Sequence, residues 1–236
     1  MRIALIGYGK MGKEIEAAAL AAGDTIVQKF DIDRPADVES LKDADVCIEF
    51  STPQTVVSNI HLALKAQKDI VVGTTGWYDQ LPELKNQVAN SGLLYSANFS
   101  VGVNLYFRIV AAAAELMRNA PDYDPYVHEL HHRQKADSPS GTALRVADIL
   151  MKRVDRKKTI VTQRMDGKIA PDALHVTSTR VGTFAGTHTV GFDSEADLIE
   201  ITHTARSRKG FALGALRAAH WLHGRKGVYT MDDVDL

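Results

Sequence analysis

The densest set of reactive side chains lies in Glu129-Leu130-His131-His132-Arg133-Gln134-Lys135-Ala136-Asp137-Ser138-Pro139-Ser140-Gly141-Thr142-Ala143. Two imidazoles, a guanidinium and an ammonium fall between positions 131 and 135. Imidazole and amine groups are the side chains that hand protons to reacting atoms most readily. Ser138 or Ser140 is a fitting N-cap for a helix, and Pro139 suits its first positions. The backbone N–H groups of Gly141 and Thr142 would then face outward at the positive end of a helix dipole, as an anion site. Cations beside such a helix start make a receptor for a small dicarboxylate, with His131 or Lys135 placed to supply a proton. Composition alone leaves a solvated polar turn equally open. A metal centre is not expected. Strand alternation puts His131 on the opposite face from His128 and His132, and no cysteine joins them.

A second constellation opens the sequence. Gly7-Tyr8-Gly9-Lys10-Met11-Gly12 fits G-x-G-x-x-G, follows a short apolar run and starts a helical pattern. A further apolar run ends at Asp31, 19 residues beyond Gly12. That context is the dinucleotide-binding fingerprint. Gly7 permits the tight turn, Gly9 lets backbone approach the pyrophosphate, and Gly12 allows close helix–strand packing. The segment from Tyr8 to Met11 supplies the N–H groups that face phosphate. Asp31 would accept hydrogen bonds from the adenosine ribose. A carboxylate there repels a 2′-phosphate, and Ile32 offers no cation to offset it, so NADH is expected to serve at least as well as NADPH. Lys29 and Arg34 are the nearby cations that could reverse this. Two more loops, Gly73-Thr74-Thr75-Gly76 and Ser96-Ala97-Asn98-Phe99-Ser100, follow apolar runs and are placed to meet the nicotinamide half.

These groups need a frame. Strand patterns over 2–6, 25–30, 45–50, 69–72 and 93–96 alternate with helical patterns over 10–22, 54–66 and 81–90. That alternation predicts βαβ units and a parallel sheet of Rossmann type. After residue 98 the rhythm changes. Helices are expected over 104–118 and 142–154, and strands over 126–132, 174–181, 186–192 and 198–205. Successive strands joined by short turns imply a mixed or antiparallel sheet in a separate α+β domain. The expected division is a dinucleotide-binding domain at 1–100 and a substrate-binding and oligomerisation domain at 101–208. The C-terminal segment 209–236 begins with an alanine-rich helix and should pack back on the first domain.

The bulk composition excludes several classes. Lys plus Arg is 28 against 29 acids, so no basic footprint for nucleic acid exists. No apolar stretch reaches membrane-spanning length, and Met1-Arg2-Ile3 enters a strand without a leader pattern. The single cysteine, Cys47, sits in an apolar run and reads as a small buried hydrophobe. A cytoplasmic location is expected.

At this point the residues resemble a known family. His131-His132-x-x-Lys135-x-Asp137-x-Pro139-Ser140-Gly141-Thr142-Ala143 closely resembles the signature of the 4-hydroxy-tetrahydrodipicolinate (dihydrodipicolinate) reductases. Val72-Gly73-Thr74-Thr75-Gly76, Asn98-Phe99-Ser100-Val101-Gly102-Val103-Asn104, Arg180-x-Gly182, Gly186-x-His188 and Arg208-x-x-Phe211-Ala212-x-Gly214-Ala215 are similar too. The resemblance implies reduction of a cyclic imine dicarboxylate by NADH or NADPH in lysine and diaminopimelate biosynthesis. It implies loss of water, hydride delivery to C4 and protonation. By motif position, His131 would donate or accept a proton and Lys135 would donate one. His132, Gly141 and Thr142 would hold a carboxylate, with Ser140 in the same loop. Gly73, Thr74, Thr75, Ser96, Ala97, Asn98 and Phe99 would contact the cofactor, and the family's homotetramer would form through the second domain's sheet. The chain departs from the pattern on the cofactor side. Its glycine loop is compact, segment 33–45 is short, and Ile32 stands where many members carry Arg. An aspartate-type amino-acid dehydrogenase would pair a similar first domain with another substrate domain and lack the histidine–lysine run, and an NADH-binding redox sensor would lose the proton donor or gain a DNA-binding region.

Overall fold

The apolar run Arg2–Ile6 forms β1, the strand from which the first site grows. It belongs to a unit comprising Met1–Asn104 and Arg208–Leu236; the second unit is Leu105–Ser207, and the computed structural model describes all residues from 1 to 236. In the first unit β1 is followed by α1 (Lys10–Ala21), β2 (Thr25–Phe30), β3 (Val46–Glu49), α2 (Val56–Lys65), β4 (Asp69–Val72), α3 (Leu81–Lys85) and β5 (Gly92–Tyr95). Helix α4 (Val101–Met117) starts here and continues into the second unit, whose own elements lie between it and the returning C-terminal segment. The sheet order is β11-β5-β4-β3-β1-β2, all parallel, with β11 (Gly227–Thr230) supplied by the C-terminal segment after α6 (Lys209–Leu222).

Both faces of this sheet are covered, which is why its strands read as continuous apolar runs. Ile3 and Leu5 pack with Ile15, Ala19, Ala215 and Leu222 from α1 and α6. Ala4 and Ile6 point the other way, into Phe30, Ile60 and Trp77. Cys47 is fully buried in that second layer, and burial pushes its thiol up to about 12, which suits packing rather than reactivity. The sheet order turns back at β1, which pairs with β2 on one side and β3 on the other. Ligands of such folds bind beyond the carboxyl ends of the strands at this point.

The second unit continues with β6 (Asp124–His131), α5 (Gly141–Met151), β7 (Thr159–Val161), β8 (Ala173–Arg180), β9 (Thr187–Asp193) and β10 (Leu198–Thr204). Its sheet runs β10-β9-β6-β8-β7 and is mixed, since β6 is parallel to β8 and antiparallel to β9. Along β6, Pro125, Val127, Glu129 and His131 are buried, while Tyr126, His128 and Leu130 are only half-buried. The buried side packs against α5, whose Ala143, Val146, Ala147 and Leu150 are solvent-free. Period-two alternation therefore puts a carboxylate and an imidazole on the covered face.

Candidate active site

Strand register builds the polar cluster of the second unit. Glu129 faces Ser178 on β8 and His188 on β9, and His131 faces Arg180. All five side chains thus share one face at one end of the sheet. Glu129, fully buried, accepts from the Ser140 backbone N–H at 2.8 Å, Ser178 Oγ at 2.8 Å, Arg180 Nη2 at 2.9 Å and Ser140 Oγ. His131 Nδ1 lies 3.2 Å from Glu129 Oε2 without the alignment of a hydrogen bond. The His131 and His188 rings meet edge to face at 5.0 Å. On the other side of His131, a Cβ on Gly186 would stand 2.9 Å from Nε2; Gly186 itself holds a φ of +145°. Only glycine fits that approach.

The loop after β6 carries Lys135 and runs into α5. His132 donates its backbone N–H to the Phe184 carbonyl at 2.8 Å, and the Lys135 ammonium sits 2.8 Å from Asp137 Oδ1. Ser140 is the N-cap of α5, its Oγ accepting from the Ala143 N–H at 3.2 Å while it donates to Glu129. Ser140 is therefore buried and committed, whereas Gly141 is exposed and Thr142 half-buried at the first turn. The geometry thus brings His131, Lys135, Ser140, Gly141 and Thr142 to one end of the sheet, with His132 between them.

Electrostatics sets the protonation states. Burial alone would raise the Glu129 carboxyl, but hydrogen bonds from His188, Ser140 and Arg180 outweigh it and hold the group ionised, well below the usual range. Burial lowers His131 to about 4; Glu129 opposes that, while His188, Lys135 and Arg180 add to it. His131 is consequently a neutral imidazole near pH 7. Breaking a buried ion pair such as Glu129–Arg180 from one side typically costs about 3–5 kcal/mol. Donor atoms of Glu129, His131 and His188 lie within 4.8 Å of one another, a spacing a metal ion could bridge. The carboxylate, however, already serves Ser140, Ser178 and Arg180, and a guanidinium 2.9 Å away repels a cation.

In the first unit the glycine loop fits a dinucleotide. Gly7 holds a φ of +94°, and a Cβ there would stand 2.2 Å from the Phe50 carbonyl. Gly9 is the N-cap of α1 with no side-chain cap, so the N–H groups at the helix start are left for an anion. A Cβ on Gly9 would meet nothing within 4 Å, which leaves room for close approach of a ligand. Lys10 is exposed there and Met11 half-buried, while Gly12 packs under the loop. Tyr8 donates to Glu16, which also binds Lys29 at 2.5 Å; the Lys29 ammonium lies 4.7 Å from the Tyr8 ring centre. Asp31 is exposed at the end of β2, one carboxylate oxygen accepting the Ile32 N–H at 2.9 Å.

The remaining loops of that edge are locked from within. Thr74 accepts the Trp77 indole N–H at 2.7 Å through its carbonyl, and Gly73 lies against the Phe50 ring. Thr75 and Ala97 are exposed. Ser96 Oγ donates to the Asn98 carbonyl at 2.9 Å, the Phe99 ring lies 5.8 Å from Phe50, and Asn104 braces the turn through the same carbonyl at 3.0 Å. Four polar residues of these two sites were given no role from the sequence: Glu49 and Glu129, and Arg180 and His188, which entered only as motif positions of the resemblance. Glu49 is buried at the end of β3, where it takes Ser51 and Asn59 as donors, and burial raises its carboxyl. Glu129 carried a local signal too, as an acid two residues before His131 on the apolar face of a strand.

Family models for dihydrodipicolinate reductase match nearly the whole length, the N-terminal one over residues 1–99 and the C-terminal one over 102–234. The chain is 39% identical to the 4-hydroxy-tetrahydrodipicolinate reductase of Christiangramia forsetii, covering 99% of this chain and 97% of that protein. It is 37% identical to the Archaeoglobus fulgidus enzyme of the same name, over 99% of each. The fold matches that of dipicolinate-bound dihydrodipicolinate reductase from Paenisporosarcina sp. TG-14, with a TM-score of 0.80 at 23% identity, over 100% of this chain and 99% of that one. The chain belongs to the dihydrodipicolinate reductase family.

Proposed function

We propose that this chain reduces 4-hydroxy-tetrahydrodipicolinate to tetrahydrodipicolinate, a step of lysine and diaminopimelate biosynthesis. The observation that carries the reading is the convergence of a neutral imidazole, an ammonium and a helix start at one end of the second sheet. A cyclic dicarboxylate suits that set: its carboxylates take the N–H groups of Gly141 and Thr142 and the ring of His132. Ser140, whose hydroxyl is engaged by Glu129, contributes by fixing the helix start. Lys135 supplies the proton that completes reduction, and His131, uncharged, accepts or relays one. A nicotinamide, when bound, supplies the hydride to C4 after water has left the ring. In the first unit, Gly7 to Gly12 hold the pyrophosphate and Asp31 the adenosine ribose. Gly73, Thr74, Thr75, Ser96, Ala97, Asn98 and Phe99 line the nicotinamide half. Freshly generated substrate should drive oxidation of the reduced cofactor, and aspartate should drive no reduction of the oxidised cofactor; the reverse pattern would assign the chain to amino-acid oxidation.

NADH should be used at least as well as NADPH. Asp31 offers a carboxylate to the ribose diol, and the next residue, Ile32, is 86% exposed and uncharged. The flanking cations are engaged elsewhere: Lys29 with Glu16, and Arg34 with Gln28 at 3.0 Å and the Phe30 ring at 5.9 Å. The ratio of kcat/KM values for the two cofactors tests this, and a strong NADPH preference would contradict it. Ile32→Arg should shift the ratio toward NADPH by roughly tenfold, the worth of one charge-assisted hydrogen bond of ~1.5 kcal/mol.

A homotetramer built through the second sheet accords with that sheet's outer face, where Tyr126, His128, Thr177 and Thr189 are half-buried, and with exposed Leu198 and Ile199 on β10. Sedimentation should give the mass of four chains; a monomer would contradict the assembly. No helix is long and apolar enough to cross a membrane, and the proposed location is the cytoplasm.

A further inference from the structure

The Lys135 loop, residues 132–140, has no regular structure, yet it is tied down along its length. The His132 and Arg133 N–H groups bond the Phe184 and Gly182 carbonyls at 2.8 and 3.4 Å. The Asp137 carbonyl accepts from Arg180 Nη2 at 2.6 Å, and Ser140 donates its N–H and Oγ–H to Glu129. The last two ties run through one buried pair, because Arg180 Nη2 is also 2.9 Å from Glu129 Oε1. We propose that the Glu129–Arg180 pair is the positioning device of the proton-donating loop, setting where Lys135 and the first turn of α5 stand against His131.

The placement of the ties supports this. Both lie downstream of Lys135, and Asp137, whose carbonyl Arg180 holds, is also the residue whose carboxylate takes the Lys135 ammonium at 2.8 Å. Fixing Asp137 therefore fixes the ammonium. Ser140, held by Glu129, is the N-cap that determines where the Gly141 and Thr142 N–H groups face. The same carboxylate comes within 3.2 Å of His131 and 3.4 Å of His188, so one group sets the distance from the imidazole to both loop ends. Arginine suits the task where lysine would not. Its Nη2 reaches both Glu129 and the Asp137 carbonyl while Nη1 donates to the Thr179 carbonyl at 3.1 Å, a fork that a point charge on a flexible stem cannot reproduce. Glu129 acts through others: it has no exposed surface, and four donors already occupy its oxygens.

The inference rests on Lys135 and the α5 start being the chemical centre. Two variants test it without confusing position with fold. Arg180→Lys keeps the charge and loses the fork. Glu129→Gln combined with Arg180→Met leaves no uncompensated buried charge, so it should melt within about 5 °C of the parent. Both should bind NADH within about twofold of the parent by fluorescence titration. Both should lose about 10²-fold in kcat, as misplacement of a reacting group by about 1 Å does. Hydrogen exchange at the Ser140 and Ala143 amides should accelerate in the double variant. Near-parental kcat in a folded double variant would show that the pair only stabilises the fold and would overturn the proposal. Should the double variant not fold, Arg180→Lys decides, and full turnover there overturns it equally. Full turnover in Lys135→Ala would instead remove the underlying reading of the site.

Discussion

Lys135→Ala should lower turnover by about 10²–10⁴-fold, the usual cost of removing a positioned proton donor. NADH affinity should stay near the parental value, because the ammonium belongs to the second unit, beside Asp137, and the glycine loop to the first. The neighbouring imidazole does not replace it. His131 is held neutral by burial and by the cations around it, with a pKa of about 4, so near neutral pH it has little proton to give. Exogenous primary amines should restore part of the lost rate. Turnover within a few-fold of the parent would remove Lys135 from the chemistry.

The second large effect concerns the glycine loop, where two neighbouring glycines should fail in different ways. Gly7→Ala places a methyl 2.2 Å from the Phe50 carbonyl oxygen and 2.7 Å from the Ser51 nitrogen, at a φ of +94°. Neither backbone group can yield without disturbing the exit from β1 and β3. Strain and overpacking together should cost on the order of 3 kcal/mol, or about 10 °C in melting temperature. Gly9→Ala meets nothing within 4 Å in the protein. It should melt like the parent but weaken NADH binding by about tenfold, ~1.4 kcal/mol, because its methyl occupies the approach of the pyrophosphate. Parental NADH affinity in Gly9→Ala would show that no phosphate comes close to that residue.

Local signals in the sequence made much of this legible. Gly7, Gly9 and Gly12 between apolar strand and helix, with Asp31 ending the next strand, mark the first candidate site because its parts are neighbours in the chain. The same holds for the run from His131 to Thr142. The residues that the sequence named without a role, or passed over, were assembled by register. Glu129, Arg180 and His188 come together only because β6 pairs with β8 and β9, roughly fifty residues away in sequence. Strand β11 was missed for a related reason. Gly227–Thr230 is four half-buried residues without clear alternation, and it becomes a strand by pairing with β5. β7 is shorter still, three residues in a polar stretch. Helix α3 stops at Lys85 rather than continuing to 90, the chain leaving it through two successive turns closed on the Glu83 and Leu84 carbonyls.

The central claim is that this chain delivers hydride to a cyclic imine dicarboxylate and completes the reduction with its own proton donor. Reduction of freshly generated 4-hydroxy-tetrahydrodipicolinate with NADH carrying deuterium at the transferable position tests it most directly. One deuterium at C4 of tetrahydrodipicolinate, with cofactor and product formed in equal amounts, is the predicted result. Product without deuterium at C4, or no cofactor oxidation with this substrate, would contradict it.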